Sequence, residues 1–147
     1  MSQIRIQHED FDPGAEIGAL GETTGNVGAI ASFVGLVRGD GGLVAMTLDH
    51  YPHFAEREIS AHVAQAKKRW PLLGVRIVHR VGRLTPRERI VFAGAASSHR
   101  HAAFEAAEFL MDYLKTRAPF WKLEERASGA SWVEARSEDH ESVKRWR

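Results

Sequence analysis

Apolar residues recur along this chain at two different periods, and the switches between them predict its elements. Ile4–Gln7 alternates as a short strand does. Asp12-Pro13 offers an N-cap followed by a proline at the first helical position, which predicts a short helix ending near Gly21. Val27–Val37 reads as a buried strand, Arg38-Gly39-Asp40-Gly41-Gly42 as a flexible loop and Leu43–Tyr51 as a second strand, so Arg38 falls at a strand end. Phe54, Ile59, Val63, Ala66 and Trp70 approximate helical spacing and predict an amphipathic helix over 53–69 that Pro71 stops. Val75–Val81 and Arg89–Ala95 are β-rich runs joined through Thr85-Pro86 as a hairpin-like pair.

A second helix is predicted from about His99 to Arg117. Phe104, Ala107, Met111 and Leu114 form its apolar stripe, and His101, Glu105, Glu108, Asp112 and Lys115 form the polar one. Pro119 blocks its continuation, Phe120–Trp121 anchors a turn, and Ser131–Arg136 is a final short strand. No repeat or linker interrupts the pattern, so residues 1–147 read as one domain. This order favours an α+β class, with helices on one face of a mainly antiparallel sheet.

Composition narrows the function classes. The chain is 44% hydrophobic and 27% charged, which suits a globular protein with a core. Its longest mostly apolar run, Val27–Val37, holds 11 residues, against the roughly 20 that span a bilayer. MSQIRIQHED lacks a basic segment followed by an apolar core, so a cytoplasmic location and no membrane partner are expected. The absence of cysteine removes thiolate nucleophiles, disulfides and cysteine metal sites. A net charge of +1 argues against a broad nucleic-acid footprint.

Local clusters carry the candidate chemistry. In Tyr113–Glu124, YLKTRAPFWKLE, Lys115 and Arg117 close a helix and Lys122 follows the proline. A turn there would swing Lys122 back toward Lys115 and make an anion pocket. Favourable charge at a helix C-terminus explains Lys115 and Arg117 equally well. If the lysines converge with Arg38 and Arg100, repulsion and desolvation would lower a lysine pKa and suit it to acid–base or nucleophilic work. Ser97-Ser98-His99-Arg100-His101 lies where a strand feeds a helix N-terminus. Basic residues sit badly there against a bare dipole, so either a bound anion or acidic neighbours must compensate. His99-x-His101 is a weak metal pattern without a third ligand, and Ser97 or Ser98 lacks a nucleophile-elbow sequence. Met111 reads as core by spacing, and Arg136 fits a surface ion pair as well as an anion contact.

The segments ASFVGLVR at 31–38, LDHYP at 48–52, RWPL at 69–72, HRVGRL at 79–84, SSHRHAAFEAAEFLMDYLKTRAPFWKLE at 97–124 and WVEAR at 132–136 closely resemble the large, catalytic subunits of molybdopterin synthase, the MoaE family. The resemblance implies an α/β hammerhead fold with an additional small β-subdomain. It also implies a homodimer that carries a small ubiquitin-like sulfur-carrier subunit, MoaD-like, at each end of a heterotetramer. The implied reaction installs two sulfurs on cyclic pyranopterin monophosphate as a dithiolene, with the carrier's C-terminal thiocarboxylate as donor. No tightly bound cofactor and no metal are implied. By motif, Lys115 is the leading catalytic residue and Lys122 its partner. Arg38, His99 and Arg100 bind the anionic substrate, Leu36, Val37, Leu123 and Glu124 flank them, and Met111 and Arg136 lie in the same regions. The loop after Arg38 is shorter than the family's more polar versions. Two alternatives from other classes are a module that binds nucleotide or RNA phosphate and a scaffold for a ubiquitin-like protein.

Overall fold

The computed structural model describes residues 2–116, 119–133, 144 and 146. The elements described are, in order, β1 (Ser2–Gln7), α1 (Pro13–Gly21), β2 (Ala29–Leu36), β3 (Leu43–His50), α2 (Pro52–Arg69), β4 (Leu72–Arg80), β5 (Gly82–Leu84), β6 (Arg89–Ser97), α3 (Arg100–Thr116), β7 (Phe120–Arg126) and β8 (Gly129–Val133), with a 3-10 turn at Asp40–Gly42. Local chemistry sets the helix limits. Asp12 caps α1 by accepting from the Gly14 N–H at 2.9 Å, with Pro13 in its first turn. Pro52 opens α2, and Pro71 follows its end at Trp70. Among the described residues no helix is long and apolar enough to cross a membrane.

Two four-stranded sheets form. The first has the order β1-β4-β6-β2, with β1 parallel to β4 and the other pairs antiparallel; the second, β5-β3-β7-β8, is antiparallel throughout. This is the mixed α+β, mainly antiparallel class expected, but its helices lie on both faces of the first sheet. Val75, Ile77, Val91 and Ala93 pack with Ile59 and Val63 of α2 and Leu110 and Leu114 of α3. Val78, Phe92 and Ala96 point the other way, against Leu20 of α1. A strand covered on both sides carries apolar residues at consecutive positions. That is what Val91–Ser97 shows, buried along its length. Glu16 of α1 fastens this second layer: buried itself, it accepts from Arg76 Nε at 3.0 Å and from Arg5.

The largest departure from the sequence reading is β7. Phe120–Trp121 opens a strand, not a turn, and β7 pairs with both β3 and β8. Trp121 and Leu123 occupy one face while Lys122, Glu124 and Arg126 occupy the other, a period-two alternation masked by the charges. The last strand begins at Gly129 and is described to Val133; the expected extension to Arg136 lies outside the described residues. On α3, Phe104 is 64% exposed, and Ala103, Ala107, Leu110, Met111 and Leu114 face the core.

The second sheet meets the first through Val37, Met46, Leu48 and Leu84 and through one ring stack. His79 of β4 lies face to face with Phe120 of β7, centroids 4.0 Å apart and planes at 10°, and His50 of β3 tilts against the same Phe120 at 5.8 Å. His79 Nδ1–H donates to the Arg80 carbonyl at 2.9 Å. Burial pushes the His79 pKa down to about 4; the carbonyl bond opposes this, and the Lys115 and His50 charges reinforce it. The folded state therefore holds His79 neutral where the unfolded chain takes up a proton, so stability is lost as pH falls from about 6.5 toward 4. Denaturant unfolding should show His79 contributing a loss of about 2 kcal/mol between pH 7.5 and pH 5. His79→Asn, which keeps a donor for the Arg80 carbonyl, should flatten that part of the slope.

Candidate active site

The C-terminal end of α3 and the start of β7 carry the candidate site. Lys115 lies in the last turn of α3, where the orphaned carbonyls favour a cation. The Thr116 hydroxyl donates to the Asp112 carbonyl at 2.7 Å, and Pro119 leads into β7. Phe120 then stacks on His79, and Lys122 follows two residues later on the same face of the strand. The Lys115 charge acts on His79 too, lowering its pKa, so both lysines belong to the neighbourhood of this stack. A strand, with no turn at Phe120–Trp121, directs Lys122 back to this end of the molecule.

Carboxylates interleave with the cations. Lys122 Nζ lies 3.7 Å from Glu124 Oε2, and Glu124 Oε1 accepts from Arg126 Nη1 at 2.7 Å. Arg126 Nε also donates to the Gly41 carbonyl at 3.0 Å, which ties β7 to the 3-10 turn just after Arg38. Partly exposed pairs of this kind contribute roughly 0–1 kcal/mol each. Their effect is to fix where the charges sit. Arg38 itself is 72% exposed at its side chain, with Nε 3.5 Å from Asp40 Oδ1. Val37 beside it is buried, whereas Leu36 is exposed. Met111, one turn before Lys115, belongs to the core. Leu123 pairs with Thr47 and Trp132 on the face opposite the lysine, so it shares the strand but not the lysine-bearing surface.

His99 and Arg100 lie elsewhere. Arg100 begins α3 and Lys115 nearly ends it, and an unbroken helix over that interval separates them by about 22 Å along its axis. One chain therefore does not bring His99 and Arg100 to the lysines. The pairing of β2 with β6 explains which groups share an end: Ala29 is opposite Ser97, close to the start of α3, and Leu36 is opposite Arg89. Arg38 thus lies at the Lys115 end. At the other end backbone meets backbone, since a Cβ at Gly28 would lie 2.2 Å from the Ser98 carbonyl oxygen. Ser97 is buried and its hydroxyl donates to the Pro71 carbonyl at 2.8 Å, so it is neither a free cap nor an exposed nucleophile. His101 pairs with Glu105 at 3.7 Å, and among the described residues no cluster of three metal-ligating side chains forms around it. Arg117 and Arg136 lie outside the described residues.

Residue patterning alone did not single out His79, His50 or Arg126. His79 had one legible signal, a lone imidazole inside the β-rich run Val75–Val81. Arg126 had none, because its role depends on a strand that the charges of 122–126 concealed.

Comparison with known proteins places this arrangement. The MoaE protein family model matches residues 6–117, which include all of α3. A molybdopterin synthase catalytic subunit of Mesorhizobium japonicum is 54% identical over 147 residues, covering 98% of this chain and 92% of that one. The solved molybdopterin biosynthesis MoaE protein of Burkholderia ambifaria aligns with a TM-score of 0.87 at 49% identity, over 99% of this chain and 98% of that one. A solved complex of subunits 1 and 2 of the molybdopterin-converting factor of Helicobacter pylori contains a chain that shares the fold, with a TM-score of 0.77 at 21% identity over 91% of this chain and 92% of that one. With half of the residues identical almost from end to end and the fold retained, this chain belongs to the MoaE family, that of the molybdopterin synthase catalytic subunits.

Proposed function

We propose that this chain is the catalytic half of a cytoplasmic enzyme that converts cyclic pyranopterin monophosphate into molybdopterin. Two sulfurs come from the C-terminal thiocarboxylate of a small ubiquitin-like carrier subunit and become the dithiolene. What supports this reading is that the Lys115 charge bears on His79 while Lys122 follows Phe120 by two residues on the same strand face, so both lysines belong to the His79–Phe120 neighbourhood at the Arg38 end of the first sheet. A donor arriving in trans also suits a chain without cysteine. Arg38 holds the substrate phosphate. Lys115 acts on the carrier thiocarboxylate, by proton transfer or by transient attack at its carbonyl; in each transfer the sulfur bonds to a pterin carbon, its bond to the carrier carbonyl breaks, and one water supplies the oxygen that leaves the carrier as a carboxylate. Lys122, held by Glu124, supports the developing negative charge.

The working unit in this reading is a homodimer with one carrier at each end. In the Helicobacter pylori complex a chain of the same fold stands with another subunit of its converting factor. A second copy of this chain answers the distance along α3. The edge strand β2 exposes Phe33 and Leu36 at 40% and 52%, and Phe104 of α3 is exposed beside that layer. Exposed apolar side chains grouped on one layer suit a protein interface. A two-fold axis that sets two copies antiparallel along β2 brings the His99–Arg100 end of one to the Arg38–Lys115 end of the other.

Reconstitution with thiocarboxylated carrier and cyclic pyranopterin monophosphate tests the reaction, with dithiolene formation as the readout. Lys115→Ala should lower the rate about 100-fold or more while carrier binding persists; a rate near that of the unaltered chain rejects the assignment. Mixing Lys115→Ala chains with Arg100→Ala chains tests the shared site. Random pairing should restore about a quarter of full activity, whereas sites confined to single chains would restore none.

A further inference from the structure

We propose that the turn from Thr85 to Glu88 is a clamp that presents Arg38, with Arg80 and Glu88 as its positioning residues. This rests on the reading above, in which Arg38 binds the anionic substrate.

The turn grips the chain on both sides of Arg38. The Val37 N–H donates to the Glu88 carbonyl and the Val37 carbonyl accepts from the Arg87 N–H, each at 2.9 Å. On the other side Pro86 closes over Gly39, where a Cβ would lie 3.2 Å and 3.3 Å from the proline Cβ and Cγ. Residues 37 and 39 are both held, and the arginine between them projects into solvent. The glycine-rich loop that follows, Gly39-Asp40-Gly41-Gly42, has no comparable stiffness of its own.

The clamp is in turn braced from the first sheet. The Glu88 N–H donates to the Thr85 carbonyl at 3.1 Å, and Glu88 Oε2 accepts from the Thr85 N–H at 2.7 Å and from its hydroxyl at 3.0 Å. Pro86 occupies the second turn position, and Arg87 takes φ 82° at the third, a place usually given to glycine or asparagine. Such a conformation persists where its neighbours over-determine it. Arg80 supplies that constraint: its guanidinium, 9% exposed, donates to Glu88 Oε1 at 3.3 Å, to the Arg89 carbonyl at 3.0 Å and to the His8 carbonyl at 3.1 Å. Asp10 completes the set, 3.9 Å from Arg80 and 2.7 Å from Arg89. The Thr85 N–H holds the Glu88 carboxyl below its usual range, with the Thr85 hydroxyl and Arg80 adding to the effect, so the carboxylate keeps both partners.

A loose arginine must be ordered at the moment of binding, and that cost weakens the complex. The clamp removes it in advance. Glu88→Gln and Thr85→Ala each cut one tie at the surface, and the reconstituted enzyme should respond with KM raised about tenfold and kcat changed less than about twofold. Thermal unfolding of both variants should stay close to that of the unaltered chain. In an Arg38→Ala background the same substitutions should add less than about twofold, because the group they position is gone. Arg80→Lys should recover part of what Arg80→Met loses. Unchanged KM in Glu88→Gln and Thr85→Ala, or an equal penalty with and without Arg38, overturns the clamp while leaving the sulfur-transfer reading intact. Arg38→Ala with unaltered kinetics overturns the role of Arg38 and the clamp together.

Discussion

The stack of His79 on Phe120 fixes the second sheet against the first, and so places Lys122 of β7 relative to the end of α3 that carries Lys115. It works because the imidazole is neutral, buried and satisfied by the Arg80 carbonyl. A charged ring at that depth would lose its hydration and face the Lys115 and His50 charges. The next residue on β4 faces the opposite way, as strand geometry requires. Arg80 there braces the turn beside Arg38 while His79 braces the strand that carries Lys122. Two consecutive residues at one strand end therefore support both halves of the site.

The electrostatics of this end are those of paired charges. Arg38 has Asp40, and Lys122 shares Glu124 with Arg126. An anion approaching this surface meets cations already held in place by carboxylates, and its binding is in part a replacement of those carboxylates. Arg126 extends the arrangement mechanically, since its bond to the Gly41 carbonyl connects β7 with the loop that follows Arg38. The glycine-rich loop is thus pinned behind by Pro86 and ahead by Arg126.

Local signals made much of the fold legible before any coordinates. Asp12-Pro13 and Pro71 marked helix limits because caps and prolines act over one turn, and Arg89–Ala95 read as a strand because Ile90, Val91 and Phe92 are β-prone. Faces were harder. Phe104 fits the helical period of the apolar stripe, yet Ala103 and Leu110 meet the sheet and Phe104 does not, since spacing alone leaves the rotation of a helix undetermined. β7 escaped because its alternation uses lysine, glutamate and arginine on the face that looks toward the site. The site was legible in parts: Lys115, Lys122 and Arg38 were singled out and lie at one end. Arg100 is separated from that group within one chain by the length of α3, since Arg100–Thr116 is continuous helix, and sequence spacing alone does not say whether a second copy closes that distance. His79 acts through a long-range contact, which no local pattern encodes.

α3 also has a consequence for how two sites would behave together. In the two-fold pair proposed above, each copy of this helix would contribute its N-terminal residues to one reaction centre and its C-terminal lysine to the other. A helix is stiff along its axis, because axial compression or stretch strains every hydrogen bond in the ladder. Any axial shift of the helix at one centre of such a pair would therefore reach the opposite one. The two centres would not turn over as independent machines but would sense each other's occupancy through a pair of rigid struts.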